Sequence, residues 1–228
     1  MITYESAGAI ATVTMDDGKV NALSIDMLAE LHAALDRAEA DGHVVVLTGR
    51  DGCLSAGFDL RVIAGGGPDL GTMLRSGFDL ARRLLSFPTP TIVAASGHAI
   101  AMGFFMMVSA DHRVGVEGAA HTYTANEVAI GLPLPRTAVE ICRPSLSPPV
   151  LHRALSLAEV FTPATALAAG VLDELVPAHS LLDRAQAYAR RLAALDMGAH
   201  AVAKQRVRAP ALVAIAAAIE ADDAERRR

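Results

Sequence analysis

Hydrophobic and polar positions alternate along the early part of the chain, and the spacing then becomes helical. Residues 2–4 and 9–15 carry β-branched and apolar side chains ahead of the turn sequence DDG, which predicts a two-stranded hairpin. After Ser24, apolar residues recur every three or four positions, which predicts a helix over residues 25–40 with Ser24 as its N-cap. The first predicted elements are therefore a hairpin and a capped helix.

Further along, short apolar runs alternate with helical patterns. The apolar runs at 43–48, 91–95 and 112–116 predict buried strands. Helical spacing is seen at 70–87 and 103–110, then from residue 147 onward at 150–157, 163–169, 180–195 and 209–221, with the strands finished before that part. Strands that alternate with helices indicate crossover connections and a mainly parallel sheet, so the predicted class is α/β with a helical C-terminal region. The sequence GGGPD at 65–69 is expected to be a mobile loop.

Composition adds a large core and excludes some partners. Of the 228 residues, 52% are hydrophobic and 20% are charged, which favours one compact core. The net charge of −5 argues against nucleic acid and anionic membranes as partners. The acidic residues before Arg226, Arg227 and Arg228 predict a solvated tail of mixed charge.

Cysteine usage and hydropathy indicate a compartment. Cys53 and Cys142 are far apart, which favours reduced thiols, and the chain has no metal-ligand spacing anywhere. The sequence shows neither a secretory signal nor an apolar run long enough to span a membrane. We therefore expect a cytoplasmic location and no metal.

Glycines follow two of the predicted strands. Gly52 and Gly57 come after the strand at 43–48, and Gly97 and Gly103 come after the strand at 91–95. The carboxyl ends of neighbouring parallel strands are the usual ligand site of such sheets, and small residues there let backbone N–H groups approach a substrate oxygen. The composition permits an oxyanion hole, although ordinary strand-to-helix turns would explain the same glycines.

Five motifs in order resemble the crotonase family of enoyl-CoA hydratases and isomerases: KVNALS (19–24), CLSAGFDL (53–60), SGHAIAMG (96–103), ADHRV (110–114) and NEVAIGLPLP (126–135). The resemblance implies a ββα spiral core and a helical C-terminal trimerisation region. It implies an acyl-CoA-binding core over residues 1–175 and a helical region over 176–228. It also implies an acyl-CoA thioester substrate, no separate cofactor because coenzyme A arrives with the substrate, and a homotrimer or a dimer of trimers.

The resemblance assigns an oxyanion hole to two backbone donors. The residues that match the family's donors are Phe58 and Met102, whose N–H groups would hold the thioester oxygen. Met102 departs from the glycine commonly seen there, which affects how closely a substrate can approach. Each such donor contributes on the order of 3 kcal/mol when negative charge develops on the oxygen.

The coenzyme A pocket is carried over in the same way, onto Lys19, Val20, Ala22, Ser55, Ala56, Leu60 and Arg61. Most of these contacts would be made by backbone atoms. Lys19 and Arg61 are candidates for phosphate contacts, although basic residues beside loops are more often simply solvated.

The acid–base residues favour one activity. Family hydratases use two glutamates, and the position of the first is Phe105, with no Asp or Glu over residues 97–110. The second position is Glu127, like the single glutamate of the family's monofunctional isomerases. One carboxylate can move a proton from C2 to C4, so we expect conversion of 3-enoyl-CoA to trans-2-enoyl-CoA with Phe105 in the apolar wall.

Two other functions stay open. An enoyl-CoA hydratase of fatty acid β-oxidation would need an acid from an unexpected loop to activate water. A non-catalytic acyl-CoA-binding homologue would account for the missing first glutamate and for Met102. Away from the motifs, Glu140 is expected in a structural salt bridge, and the resemblance implies structural ion pairs for Asp111 and Arg113.

Overall fold

The computed structural model describes residues 1–226 as two β-sheets surrounded by helices. The six-stranded sheet has the order β1 (Ile2–Ala7), β2 (Ile10–Met15), β3 (Val44–Gly49), β5 (Thr91–Ala95), β7 (His112–Val116) and β9 (Glu174–Val176). The three-stranded sheet has the order β4 (Gly52–Ser55), β6 (Gly97–Ile100) and β8 (Tyr123–Thr124). All pairs are parallel except the β1–β2 hairpin, so both the predicted hairpin and the mainly parallel sheet are confirmed.

The helices are α1 (Ile25–Ala40), α2 (Leu60–Gly65), α3 (Gly67–Ser86), α4 (Met102–Val108), α5 (Arg136–Cys142), α6 (Pro148–Ser156), α7 (Pro163–Ala169), α8 (Leu181–Ala193) and α9 (Met197–Arg226). Short 3-10 turns lie at Val128–Ile130 and Ala178–Ser180. Ser24 caps α1 as predicted, since its side chain accepts a hydrogen bond from the Met27 N–H.

The chain passes alternately through the two sheets. β3 is followed by β4, β5 by β6, and β7 by β8, and a helix follows each pair. Three ββα turns therefore stack into a spiral, which confirms the predicted fold class. Because strands of the small sheet begin where those of the large sheet end, the loops after β4 and β6 meet at one place.

Both faces of the central strands β3, β5 and β7 are buried, which explains why these strands read as continuous apolar runs. In β3, Val44 and Val46 pack with Ala185 of α8 on one face. Val45 and Leu47 point into the main core on the opposite face. Side chains of β3 therefore alternate between the two faces of the sheet in the structure, although the sequence shows no alternation of apolar and polar residues.

Three predicted loop segments are corrected by the structure, and β9 was not predicted. Gly65 ends α2 and Gly67 begins α3, so only Gly66 lies between the two helices and GGGPD does not form the predicted loop. Pro68 in the first turn of α3 favours a helix start there. The glycine segments at 52–55 and 97–100 form β4 and β6, and β9 lies inside the part predicted to be entirely helical. These strands are too short for their periodicity to be recognised.

The predicted solvated tail is also corrected, because residues up to Arg226 belong to α9. Asp222 is only 7% exposed, and its carboxylate accepts hydrogen bonds from the Thr137 N–H at 2.9 Å and the Thr137 hydroxyl at 2.7 Å. The N-cap of α5 is Pro135, which makes no side-chain hydrogen bond, so Asp222 satisfies a backbone donor at that end. Arg227 and Arg228 lie outside the described residues.

Asp111 joins α9 to the large sheet. Its carboxylate lies 2.6 Å from Lys204 Nζ and 3.0 Å from Arg208 Nη2, and it accepts a hydrogen bond from the Thr91 N–H at 2.8 Å. Lys204 is 7% exposed, and burial lowers the pKa of its ammonium group although Asp111 opposes that change. Asp111 is therefore the counter-charge for two cations of α9, the buried Lys204 and the partly buried Arg208.

The other expected structural pairs are present as well. The guanidinium Nε of Arg113 lies 2.8 Å from Asp173, just before β9. Glu140 pairs with Arg143 at 2.9 Å, one turn along α5. These contacts account for Glu140 and Arg113 without any role in chemistry.

The cysteines and the helices bear on the predicted compartment. Cys53 and Cys142 are buried free thiols. Within residues 1–226, no helix combines the length and the apolar character needed to cross a membrane. The cytoplasmic location and the division at residues 175 and 176 stay predictions.

We predict that Asp111→Asn destabilises the fold by about 3 kcal/mol, because breaking a buried ion pair leaves charge on Lys204 and Arg208 without compensation. Urea denaturation measures the change. Asp51→Asn is the matched control, since Asp51 is exposed and forms neither a hydrogen bond nor an ion pair with the described residues; its effect should stay within about 0.5 kcal/mol. Equal effects of the two substitutions would contradict the buried role of Asp111.

Candidate active site

The loops after β4 and β6 touch each other at Gly57. Gly57 has φ +91°, and a Cβ placed on it would lie 2.9 Å from the Ile100 carbonyl oxygen, 2.9 Å from Ala101 Cβ and 3.2 Å from the Met102 nitrogen. A side chain here would be strained and would push the two loops apart. Gly57 therefore allows the segments that carry Phe58 and Met102 to pack directly against each other.

The backbone N–H groups of Phe58 and Met102 are both unpaired among residues 1–226. Met102 is the first residue of α4, where an N–H group has no partner within its own helix. Phe58 forms a β-bridge with Leu23, but the hydrogen bonds of that bridge join Leu23 to the residues on either side of Phe58 and leave the Phe58 N–H free. Two free donors thus lie on adjoining loops, as an oxyanion hole requires.

Ala101 holds the Met102 donor in place at a conformational cost. It has φ +52° and ψ −122°, a region that costs a residue with a side chain on the order of 1–3 kcal/mol. Its N–H donates to the Thr124 carbonyl at 2.9 Å, and its own carbonyl accepts from Phe104 and Phe105. The strain is fixed by hydrogen bonds on both sides of the peptide, and sequence reasoning did not identify this residue.

Four of the predicted coenzyme A residues come together along β4. The Ala56 N–H donates to the Val20 carbonyl at 2.9 Å. The Ser55 hydroxyl donates to the Asn21 carbonyl at 2.7 Å and accepts from the Gly57 N–H at 3.1 Å. Ala22 follows in the same segment, so Val20, Ala22, Ser55 and Ala56 line one strip of backbone.

Asn21 and Asp17 fix that strip, and neither was predicted as a site residue. Asn21 is fully buried with φ +50°, and its amide lies within 3.2 Å of the Met15, Cys53 and Leu54 carbonyls. Burial acts to raise the pKa of the Asp17 carboxyl. Hydrogen bonds from the backbone N–H groups of Asn21 and Lys19 oppose that change, and the pKa is lowered overall. The only signal in the sequence is the turn DDG followed by asparagine.

The remaining coenzyme A candidates lie at the surface. Leu60 is 70% exposed. The side chain of Arg61 is 88% exposed and pairs with Asp59 at 2.7 Å. Lys19 is exposed too, and no described acidic side chain pairs with it. Any phosphate contact by Arg61 would therefore compete with Asp59.

Glu127 is an isolated carboxylate at the start of the 3-10 turn. Its carbonyl accepts a hydrogen bond from the Leu132 N–H at 2.9 Å, which fixes the backbone. Its Oε2 atom is buried, and no partner for that atom exists among the residues described. Burial raises the pKa of the Glu127 carboxyl. Burial, and then the Glu127 charge, raise the pKa of the Cys142 thiol in α5.

Phe105 is part of the core. Its side chain is 1% exposed and meets the ring of Phe104 edge to face, with ring centroids 6.2 Å apart. Packing alone is enough to explain an aromatic residue there. Its contact with an acyl chain stays a prediction.

A surface cleft of about 680 Å³ opens elsewhere, between the start of α3 and the end of α9. Leu70, Gly71, Arg75 and Asp223 are among its lining residues, whereas none of the predicted site residues lines it. In the described part of the chain, no cluster of three or more histidines, cysteines or acidic residues could hold a metal ion. The cleft does not help to locate the predicted chemistry.

The spiral of ββα turns and the adjoining free N–H groups are features that the resemblance to crotonases implies. The family model described as enoyl-CoA hydratase/isomerase matches residues 5–225, and the chain belongs to that family. Enoyl-CoA delta isomerase 1, a mitochondrial protein of Rattus norvegicus, is 29% identical over 190 residues, which cover 82% of this chain and 66% of the rat protein.

Solved structures give the same family. A probable enoyl-CoA hydratase, EchA3, from Mycobacterium tuberculosis is 44% identical with a TM-score of 0.94, covering 98% of this chain and 95% of that one. An apo structure of the same M. tuberculosis protein names it an enoyl-CoA isomerase; it has the same identity and TM-score and covers 98% of each chain. The prediction of a crotonase-family enzyme, isomerase or hydratase, is confirmed at that level.

We predict that Glu127→Gln stabilises the fold at neutral pH. A carboxyl whose pKa is raised by folding holds its proton longer in the folded state, so stability falls as pH rises from the unfolded pKa to the folded one. A neutral amide avoids that loss. The gain should be largest near neutral pH and should shrink toward the ordinary glutamate pKa of about 4.3.

Urea denaturation of both proteins across this pH range measures the gain. Glu140→Gln is the control, because Glu140 already has an ion-pair partner in Arg143. If Glu127→Gln is no more stable than the wild type at neutral pH, the carboxylate is not isolated in solution.

Proposed function

We propose that this protein is an enoyl-CoA isomerase that converts 3-enoyl-CoA to trans-2-enoyl-CoA. The observation that carries the proposal is the Glu127 carboxylate, whose Oε2 is buried without a hydrogen-bond partner in residues 1–226 and whose pKa is raised by burial. A carboxylate with a raised pKa is a better base and, once protonated, is still able to donate the proton.

The proposed reaction begins with the thioester oxygen accepting hydrogen bonds from the N–H groups of Phe58 and Met102. The Glu127 carboxylate takes a proton from C2, and the electrons of that C–H bond form the C1–C2 double bond of an enolate. The oxygen carries the negative charge, and two donors that are already oriented stabilise it.

The second step returns the same proton. The enolate carbonyl re-forms, the C2–C3 double bond forms, and the former C3–C4 π electrons take the proton from Glu127 at C4. No atom is gained or lost, so the proposed reaction needs no added cofactor and no water. The strip of backbone at Val20, Ala22, Ser55 and Ala56 would hold the coenzyme A part of the substrate.

Enoyl-CoA hydratase is the second candidate, and the names of relatives support it. The EchA3 protein at 44% identity is named as a probable hydratase in one structure and as an isomerase in another, so its names keep both activities in view. Hydration needs a positioned water and a second acid, whereas this chain has Phe105 where family hydratases carry the first glutamate. A non-catalytic acyl-CoA-binding protein stays the third possibility.

The proposal includes a homo-oligomer, a trimer or a dimer of trimers, in the cytoplasm. The support on this chain is the apolar surface of α9, where Val207 is 80% exposed and Val213 is 71% exposed. These two valines lie about 120° apart around the helix axis, so they support a partner-covered surface only together with the oligomer that the resemblance implies.

We predict that Glu127→Gln lowers isomerase turnover by about 10³-fold, because a general acid–base group contributes 10²–10⁴ to the rate. KM should change little, since the coenzyme A strip is untouched. A purified-enzyme assay on a 3-enoyl-CoA measures this. Glu140→Gln, in the next helix, is the matched control and should keep the wild-type rate.

The pH dependence follows from the same carboxyl. Its activity as a base is lost as the pH falls through its pKa, which burial raises. The acid limb of kcat/KM should therefore lie above the ordinary glutamate value of about 4.3.

Two results would contradict the proposal. Efficient hydration of crotonyl-CoA that survives Glu127→Gln would favour a hydratase with a different base. Tight acyl-CoA binding without turnover on any enoyl-CoA tested would favour the non-catalytic alternative.

A further inference from the structure

Gly77 lies in the middle of α3 and faces the candidate oxyanion loops. A Cβ placed on it would lie 2.4 Å from Phe58 Cε1 and 2.6 Å from Phe58 Cζ, which is a severe overlap with that ring. The same Cβ would lie 3.6 Å from Met102 Cγ, an ordinary contact. One helical position therefore touches the side chains of both residues whose N–H groups are free.

The Phe58 ring is held on a second side by the next residue of the helix. Phe78 meets it edge to face, with ring centroids 5.9 Å apart and an interplanar angle of 87°. Such aromatic pairs favour a fixed geometry. The ring is thus seated in a notch formed by the missing side chain of Gly77 and by the edge of Phe78.

A glycine inside a helix is costly, about 1 kcal/mol relative to alanine. Gly77 is buried, so a need to expose the helix backbone to solvent does not explain why a glycine stands there. On the same helix, a Cβ at Gly71 would meet nothing within 4 Å. Close approach is therefore a requirement at Gly77 that does not apply at Gly71.

We propose that Gly77 is a positioning residue for the oxyanion hole, which it sets by letting the Phe58 ring lie against α3. The inference rests on the proposed function, in which the N–H groups of Phe58 and Met102 hold the thioester oxygen. A methyl group at Gly77 must displace the ring, either by breaking its contact with Phe78 or by shifting the Phe58 backbone. Shifting the backbone moves the donor directly, and breaking the Phe78 contact removes packing that holds the residue that carries it.

The test compares Gly77→Ala with Gly71→Ala in the full-length protein. Gly77→Ala should lower kcat on a 3-enoyl-CoA by about 10²-fold, the loss expected from a displacement near 1 Å of a group that acts on the reacting atoms. KM should stay within about twofold, because the loss arises in the transition state. Gly71→Ala should match the wild type.

A rescue variant separates positioning from general damage. Phe58→Leu removes Cε1 and Cζ, the two ring atoms that the new methyl group would strike, and keeps the backbone N–H. Adding Gly77→Ala to Phe58→Leu should therefore cost less than about threefold, compared with about 10²-fold in the wild-type background. If Gly77→Ala alone does not fold, the two Phe58→Leu proteins still give this comparison.

Binding provides a readout that does not depend on turnover. Acetoacetyl-CoA can present an enolate oxygen, whereas coenzyme A lacks the acyl group. Calorimetry should show that Gly77→Ala weakens the binding of acetoacetyl-CoA by about 10-fold and leaves the binding of coenzyme A unchanged. Only acetoacetyl-CoA has an oxygen for the oxyanion donors to hold.

Three outcomes would overturn the inference: full activity of folded Gly77→Ala, an equal loss in Gly71→Ala, or a loss of the same size in the Phe58→Leu background. These outcomes leave the proposed function standing if the wild type is an isomerase that depends on Glu127. Failure of Glu127→Gln to lower turnover would reject the proposed function instead.

Discussion

The contact between Gly57 and the Ile100–Met102 segment is the constraint on which the candidate site depends. Two parallel strands of the small sheet end side by side, and a Cβ atom on Gly57 would lie 2.9 Å from the Ile100 carbonyl oxygen, so only a residue without a side chain fits between their loops. Ala101 accepts a strained conformation on the other side of this contact. The loop after β6 continues into α4, in which every residue is buried, and this supplies rigidity on that side; the loop after β4 leads into α2, which has no buried residue.

Glu127 opposes the stability that the rest of the core provides. The core stabilises the fold through buried apolar groups, whereas the buried Oε2 atom of Glu127, which has no hydrogen-bond partner among residues 1–226, opposes folding. The main core around β3 and the ion pairs of Asp111 on α9 can offset that cost. A stable scaffold with one locally unfavourable carboxylate is the arrangement expected where reactivity is favoured over stability.

The sequence predicted elements whose signal is local. Ser24 and the helical spacing after it define α1, and the apolar run before Gly49 defines β3. The sequence carries no signal for contacts between distant segments. Asp222 of α9 accepts a hydrogen bond from Thr137 at the start of α5, 85 residues away, and no periodicity relates the two positions. Glu127 was selected through resemblance to a family. Gly77 carried only the weak signal of a glycine within a helical pattern.

Whether such a site hydrates or isomerises depends on what a water molecule could bind. An ordered buried water needs two to four polar partners. Phe105, the position at issue, offers a ring in contact with Phe104, and its carbonyl already accepts a hydrogen bond from the Ser109 hydroxyl at 2.8 Å. With Glu127 the one carboxylate proposed for the chemistry, the proton has a single carrier. A carrier that must both accept and donate suits a reaction that returns the proton to the same molecule.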